Sequence, residues 1–198
     1  ETIADLDPQF HAVYEWFSAT YIRTRYPVTF EDLQMVNRFL ERGMEQFPTD
    51  YQLPYEAGMN YIGYSAGRSD ELRVKELTHG IRYLERAARL DGAPTILPFT
   101  ISWMYQRRRQ LRQKIATGSE ENSGGYSDEQ IEFLAEMYYL LDSKEIRQRI
   151  EAMLSRTPRG RQALSARGRS YAETLRTHHL TSFPYLPVGL WATLSDPP

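Results

Sequence analysis

The sequence contains no cysteine, no long apolar run and no strong excess of one charge. The absence of cysteine excludes disulfide bonds, thiolate zinc sites and thiol catalysis, although it assigns no cellular compartment. No apolar segment approaches the length of a membrane-spanning helix, and we find no signal peptide. The net charge of −2 and the isoelectric point near 6.1 argue against binding nucleic acid along a strongly basic face.

Catalytic motifs are also absent. The chain has no nucleophile-elbow G-x-S-x-G, no H-E-x-x-H pair and no paired carboxylates whose setting indicates altered protonation. His178 and His179 are adjacent, so they point to different sides of a helix, and no cysteine or suitably spaced carboxylate completes a metal site. We therefore expect a protein without catalytic activity, metal, cofactor or small-molecule substrate. An enzyme whose site assembles from distant positions is the alternative.

Hydrophobic residues make up 41% of the 198 residues and aromatic residues 13%, which is enough to bury a sizeable core in one domain. Asp7 and Pro8 predict the start of a first helix, and Thr29 with Asp32 predicts a capping pair for the second. Pro94 predicts the start of the fifth helix. Other helices are expected from about residues 50, 69, 127 and 143. The first helix should bury an aromatic row: Phe10, Val13, Tyr14, Phe17 and Tyr21.

The residue pattern of one stretch, residues 54–94, recurs in the segments before and after it. Its first half places tyrosine three positions after a small residue, at Gly58 and Tyr61, so that a neighbouring helix can approach closely. Its second half places small and large residues on one helix face, and residues 91–94 stop the helix. The members of the second pattern are Gly80, Leu84, Ala87 and Gly92. The recurrences are Ser18 with Tyr21, Ser102 with Tyr105, and the set Val36, Leu40, Gly43 and Pro48.

This order of small, aromatic and closing proline positions resembles the tetratricopeptide repeat, most closely over residues 8–94 and less closely to about residue 155. The small residues lie 40 and 44 positions apart, whereas the family repeat is roughly 34 residues long, so the units would have long helices. The resemblance implies an all-α fold, a right-handed α-solenoid of antiparallel helix pairs. We expect about seven or eight helices over residues 1–180 and an extended aromatic tail over 181–198, packed on the domain or on a partner subunit.

The resemblance also implies a function. Proteins of this family bind protein partners in a concave groove, so we expect a non-catalytic scaffold or accessory subunit of a larger assembly. The groove positions that match are Tyr55, Met59 and Ile62 in one unit and Phe99, Trp103 and Gln106 in the next. Tyr51, Tyr55, Tyr61 and Tyr64 are consistent with either a groove lining or packing between helices. His79, beside Gly80, is interpreted as a packing or surface residue.

The opening segment ETIADLDPQF is similar to exported bacterial tetratricopeptide proteins in which an N-terminal membrane anchor precedes the repeats. That resemblance implies a periplasmic or envelope-associated protein, with the cytoplasm as the alternative. Because the chain opens with Glu1 and not with methionine, we expect that a preceding segment was removed.

Charge is uneven along the chain, because residues 143–180 hold nine lysines and arginines against three acids. This imbalance is consistent with a docking face for an acidic partner or anionic lipid headgroups, or with a solvated helix pair. The candidate docking residues are Arg147, Arg156, Arg161 and Arg169. The earlier basic run from Arg107 to Lys114 is interpreted as a solvated helix end. An adaptor for an anionic surface, lipid or nucleic acid, is therefore an alternative function, although we expect no nucleic-acid partner.

The pairing of helices after residue 117 has two alternatives. The signatures at Ala135 with Tyr138 and at Ile146, Ile150, Met153 and Pro158 would pair the helix from Ser127 with the helix from residue 143. Counting helices in twos instead pairs the helix from Pro94 with the helix from Ser127, across the polar residues 117–127. We prefer the count, because the fifth helix otherwise has no partner.

Overall fold

The computed structural model describes residues 3–25, 27–64, 68–119 and 125–177, with side chains through residue 172. These residues form nine helices and no strand, so the all-α prediction is confirmed, although seven or eight helices were expected. The helices are α1 (Ile3–Leu6), α2 (Ala12–Thr24), α3 (Phe30–Gln46), α4 (Gln52–Gly63), α5 (Asp70–Ala88), α6 (Leu97–Thr117), α7 (Asp128–Leu140), α8 (Lys144–Leu154) and α9 (Pro158–Thr177). In the part of the chain that is described, no helix combines the length and apolar content needed to cross a membrane.

The chain divides into two compact units between residues 123 and 124. In the first unit each helix from α2 to α5 packs against the next one in the chain. The core consists of apolar side chains from all five: Tyr14, Leu33, Leu40, Met44, Leu53, Ile81, Leu84, Leu97, Ile101, Met104 and Leu111. The predicted boundary near residue 180 and the tail over 181–198 lie outside the described residues.

Small residues bring α4 and α5 into direct contact. A Cβ added at Gly58 would lie 2.5 Å from Leu84 Cγ and 3.0 Å from the Gly80 carbonyl oxygen. Tyr61, one turn after Gly58, is only 3% exposed. The spacing in residues 54–94 therefore marks a close helix–helix contact, as predicted.

Equivalent positions in the recurrences are buried too. Ser18, Ser102 and Tyr105 are buried, as are Val36 and Leu40, while Tyr21 is partly buried. A Cβ added at Gly43 would lie 2.8 Å from Tyr14 Cγ, so α2 and α3 also approach closely at a small residue. Most small and large positions of the pattern thus face inward where it recurs in the first unit, whereas the closing positions Pro48 and Gly92 are exposed.

Side-chain caps fix several helix starts. Thr29 accepts from the Asp32 backbone N–H and the Asp32 side chain accepts from the Thr29 N–H, which confirms the predicted capping pair. The Ser69 and Ser127 side chains each accept a hydrogen bond from the backbone N–H three residues later in the chain. Gly92, at φ 80°, lies in the turn where the sequence predicts the end of α5.

Two helix starts differ from the prediction. The first long helix begins at Ala12 and not at Pro8, because the Asp7 carboxylate accepts from the Gln9 N–H and turns the chain before the helix. The fifth long helix begins at Leu97, with Pro98 in its first turn, and Pro94 belongs to the preceding turn.

Two expectations about burial are also wrong. Phe10 precedes α2 and is 48% exposed, so it does not share the core of Tyr14. Arg108, expected on a solvated helix end, is 7% exposed, with its guanidinium 4.9 Å from the centre of the Tyr105 ring. The ring, one turn back on the same helix, supplies a cation–π contact to the buried charged group.

The second unit contains α7, α8 and α9, and α7 packs against both of the others. Its core is formed by Ile131, Phe133, Leu134, Met137, Ile146, Ile150, Leu154 and Ala163. The Tyr139 hydroxyl donates to the Leu164 carbonyl oxygen at 3.0 Å and so joins α7 to α9. The packing of α7 on α8 agrees with the pairing that the Ala135 and Ile146 signatures indicate. The compact units do not follow the pairing across residues 117–127 that we preferred.

Candidate functional site

A surface groove of about 380 Å³ lies between α2 and α4. It is lined by Tyr51, Gln52, Tyr55, Glu56 and Met59 from α4 and the turn before it, by Glu15 from α2, and by Pro94. Two of the six predicted groove residues, Tyr55 and Met59, therefore lie side by side in a concave surface.

Helix geometry explains why these side chains share the groove. Gln52, Tyr55, Glu56 and Met59 are spaced three, one and three positions apart, which places them on one face of α4. Gly58 and Tyr61 lie on another side of α4, where they are buried in the packing against α5. One helix thus uses its small residues for the core and its mixed aromatic and polar residues for the groove.

The other four predicted groove residues lie outside the groove lining. Ile62 is partly buried one turn after Met59. Phe99, Trp103 and Gln106 share a face of α6, where Trp103 is 56% exposed and the other two are partly buried. None of these four lines the groove.

The tyrosines left open by the sequence divide between lining the groove and packing between helices. Tyr51 and Tyr55 line the groove, whereas Tyr61 packs between helices and Tyr64 is exposed at the end of α4. His79 is partly buried and stacks on Tyr61 with ring centroids 5.3 Å apart.

Two carboxylates make the groove acidic. Burial raises the pKa of Glu56, a hydrogen bond with Ser18 opposes this effect, and the negative charge of Glu15 adds to it. A carboxylate in this position is stabilised by any positive charge that enters the groove. The chemistry of the lining therefore suits a ligand with both a cationic group and an apolar surface.

A buried polar chain lies beneath the groove. The Asn60 side chain donates to Ser18 Oγ at 3.2 Å and to Asn37 Oδ1 at 3.1 Å, and Asn37 donates to the Ala57 carbonyl oxygen at 3.0 Å. These bonds join α2, α3 and α4 through groups that would otherwise be unsatisfied in the core. They hold the groove-bearing helices in one register.

No family model matches this chain. Neither the curated proteins nor the solved structures include a match to it. Among the described residues, no three histidines, aspartates or glutamates come together in a way that could hold a metal ion.

The predicted basic docking residues lie in the second unit. Arg156, Arg161 and Arg169 are exposed and Arg147 is partly exposed. The Arg161 guanidinium donates to the Ser155 carbonyl oxygen at 2.6 Å, and that of Arg169 donates to Ser165 Oγ at 2.7 Å. Both partners are neutral, so these two bonds leave the positive charge of the arginines in place.

Two features of the first unit were missed by sequence reasoning. Glu15 belongs to the groove, but its position three residues before the buried Ser18 gave no sign of this. Arg68 forms an ion pair with Glu76, which is fully buried, and donates to the Val28 carbonyl oxygen at 2.6 Å. These residues come from separate helices and turns, and no spacing along the chain marks such a contact.

Proposed function

We propose that this chain is a non-catalytic scaffold or accessory subunit that holds a segment of another protein in the groove between α2 and α4. The observation that carries the proposal is the joint placement of Tyr55, Met59 and two carboxylates in one concave surface on a well-packed helical frame.

The chemistry of the lining indicates the partner. Tyr55 and Met59 offer partly exposed apolar surface, and an aromatic ring with a hydroxyl can pack and donate at once. Glu15 and Glu56 favour a cation. The segment that fits best is an extended peptide with a lysine or arginine close to an apolar side chain.

The frame that we propose is a right-handed stack of antiparallel helix pairs. Three observations support it: consecutive helices of the first unit pack on one another, the turns between them are short, and small residues recur at their contacts. In such a stack the first helices of successive pairs, α2, α4 and α6, line one surface, which agrees with a groove between α2 and α4.

An assembly at the bacterial cell envelope is the setting we propose for this module. Its support is the similarity of the opening segment to exported tetratricopeptide proteins, together with a groove suited to a protein partner. The cytoplasm is the alternative setting.

Peptide selection tests the proposal. A library of random displayed peptides is selected against the whole chain, and the affinities of enriched peptides are measured by fluorescence polarisation. We expect enriched peptides to combine basic and apolar residues, and Tyr55→Ala to weaken binding about tenfold or more, because a central aromatic residue commonly contributes over about 1.4 kcal/mol.

Tyr64→Ala is the matched control, since Tyr64 is an exposed tyrosine at the end of the same helix and lies outside the groove lining. It should leave the affinity unchanged. Enriched peptides that bind the Tyr55→Ala variant as well as the unmodified protein would contradict the proposed site.

A further inference from the structure

A second concave surface, of about 370 Å³, lies between α3 and α5. We call it the arginine cleft, because Arg38, Arg82 and Arg86 line it together with Glu41, His79 and Tyr83. It shares no lining residue with the groove between α2 and α4. The inference drawn from it does not depend on the function proposed for that groove.

The two helices present their polar residues to the cleft at helical spacing. On α5 the lining residues His79, Arg82, Tyr83 and Arg86 fall three, one and three positions apart, which is a single helix face. On α3, Arg38 and Glu41 are three positions apart and share a face as well. The arginines thus converge from two helices on one cavity.

Charge in the cleft is strongly one-sided. Three guanidinium groups face a single carboxylate, and that carboxylate accepts a hydrogen bond from the Tyr83 hydroxyl at 2.6 Å. Arg86 donates to the Met44 carbonyl oxygen at 3.3 Å, a neutral partner. Within the described residues, neither Arg38 nor Arg82 has a hydrogen-bond or salt-bridge partner. The cleft therefore holds an excess of about two positive charges near neutral pH.

Stacked aromatic rings form the base of the cleft. Tyr61, which is almost fully buried, stacks with His79 at 5.3 Å and with Tyr83 at 6.2 Å between ring centroids. Burial lowers the pKa of His79, and the positive charge of Arg82 lowers it further. The imidazole is therefore neutral at pH 7, and its N–H remains a potential donor to an anion.

We infer that the arginine cleft binds a phosphate monoester. A guanidinium presents parallel N–H donors that match phosphate oxygens, so several arginines around one cavity form a typical phosphate site. The two charges of a phosphate monoester near neutral pH equal the excess charge of the cleft. Its volume accommodates the phosphate together with a ring or short chain attached to it, beside the His79 and Tyr83 rings.

Titration of the whole chain with phenyl phosphate, followed through the His79 imidazole signals by NMR, tests the inference. Bound phosphate places negative charge beside His79, so we expect saturable signal shifts and a higher His79 pKa. Arg38→Gln and Arg82→Gln should each weaken binding about tenfold or more, because each removes charge-assisted hydrogen bonds. Arg23→Gln, which removes an exposed arginine from α2, is the matched control and should leave binding unchanged.

Two further ligands define the chemical class. Inorganic phosphate that binds as tightly as phenyl phosphate would identify free phosphate as a sufficient ligand, whereas tighter binding of phenyl phosphate would show that the attached ring contributes. The second result supports a phosphate monoester, whereas the first would overturn the monoester in favour of free phosphate. Succinate binding as tightly as phenyl phosphate would overturn the assignment to phosphate. The inference also fails if phenyl phosphate gives no saturable shift up to about 10 mM, or if Arg82→Gln binds it like the unmodified protein.

Discussion

Replacing Gly58 by alanine tests the contact between α4 and α5. The new Cβ would lie 2.5 Å from Leu84 Cγ, 2.7 Å from Leu84 Cδ2 and 3.0 Å from the Gly80 carbonyl oxygen. Leu84 is completely buried, so its side chain has little room to move aside. The substitution therefore forces the two helices apart or strains the Leu84 side chain.

The expected loss follows from two opposing effects. Overpacking a well-packed core costs about 1–3 kcal/mol, and the upper end applies here because a backbone atom, the Gly80 carbonyl oxygen, also lies close to the new methyl group. Alanine favours a helix over glycine by about 1 kcal/mol, which offsets part of that loss. We therefore expect Gly58→Ala to lower the free energy of unfolding by about 2 kcal/mol.

Urea unfolding followed by circular dichroism measures this difference. Gly63→Ala is the matched control, because a Cβ there meets no atom within 4 Å and the residue belongs to the same helix. Leu84→Ala in the Gly58→Ala background should restore space, so the double variant should lose less stability than the sum of the single losses. The packing account is refuted if Gly58→Ala changes the free energy of unfolding by less than about 0.5 kcal/mol.

Two other substitutions test charged groups in the first unit. Glu76→Gln should destabilise the protein by about 3–5 kcal/mol in urea unfolding, because it leaves the Arg68 guanidinium without its buried counter-charge. A loss below about 1 kcal/mol would mean that the pair is not buried. Since the folded-state pKa of Glu56 lies above its ordinary value of 4.5, the stability that comes from its protonated form is present below pH 4.5 and is lost as the pH rises through the folded-state value. Glu56→Gln stays neutral, so its stability relative to the unmodified protein should increase from about pH 4 to about pH 7. An unchanged difference between the two pH values would show that Glu56 is not affected by burial.

Local signals along the sequence predicted much of the helical frame. The Thr29 cap and the placement of Gly58 and Tyr61 on one side of a helix depend on residues close together in the chain, so capping chemistry and helix periodicity predict them. The start of the first long helix was misplaced because the Asp7 side chain can cap a turn as well as a helix. Such local competition is decided by the surrounding contacts.

Features built from distant residues could not be predicted in this way. The arginine cleft joins a face of α3 to a face of α5, and each face by itself has the charged pattern of a solvated helix surface. In the groove, Tyr55 and Met59 were predicted through a family resemblance, whereas Glu15 contributes from a different helix. Which of several similar side chains meets a cavity depends on helix packing, and spacing along one helix does not define it.

Methyl NMR of the chain with labelled methionines, titrated with a peptide enriched in the selection, tests most directly whether the groove between α2 and α4 holds the peptide. Met59 lies in the groove, Met44 and Met104 are buried in the core of the first unit, and Met153 belongs to the second unit. We expect a saturable shift of the Met59 methyl signal, with much smaller changes at the other three. A saturable shift at Met153 with none at Met59 would contradict this expectation.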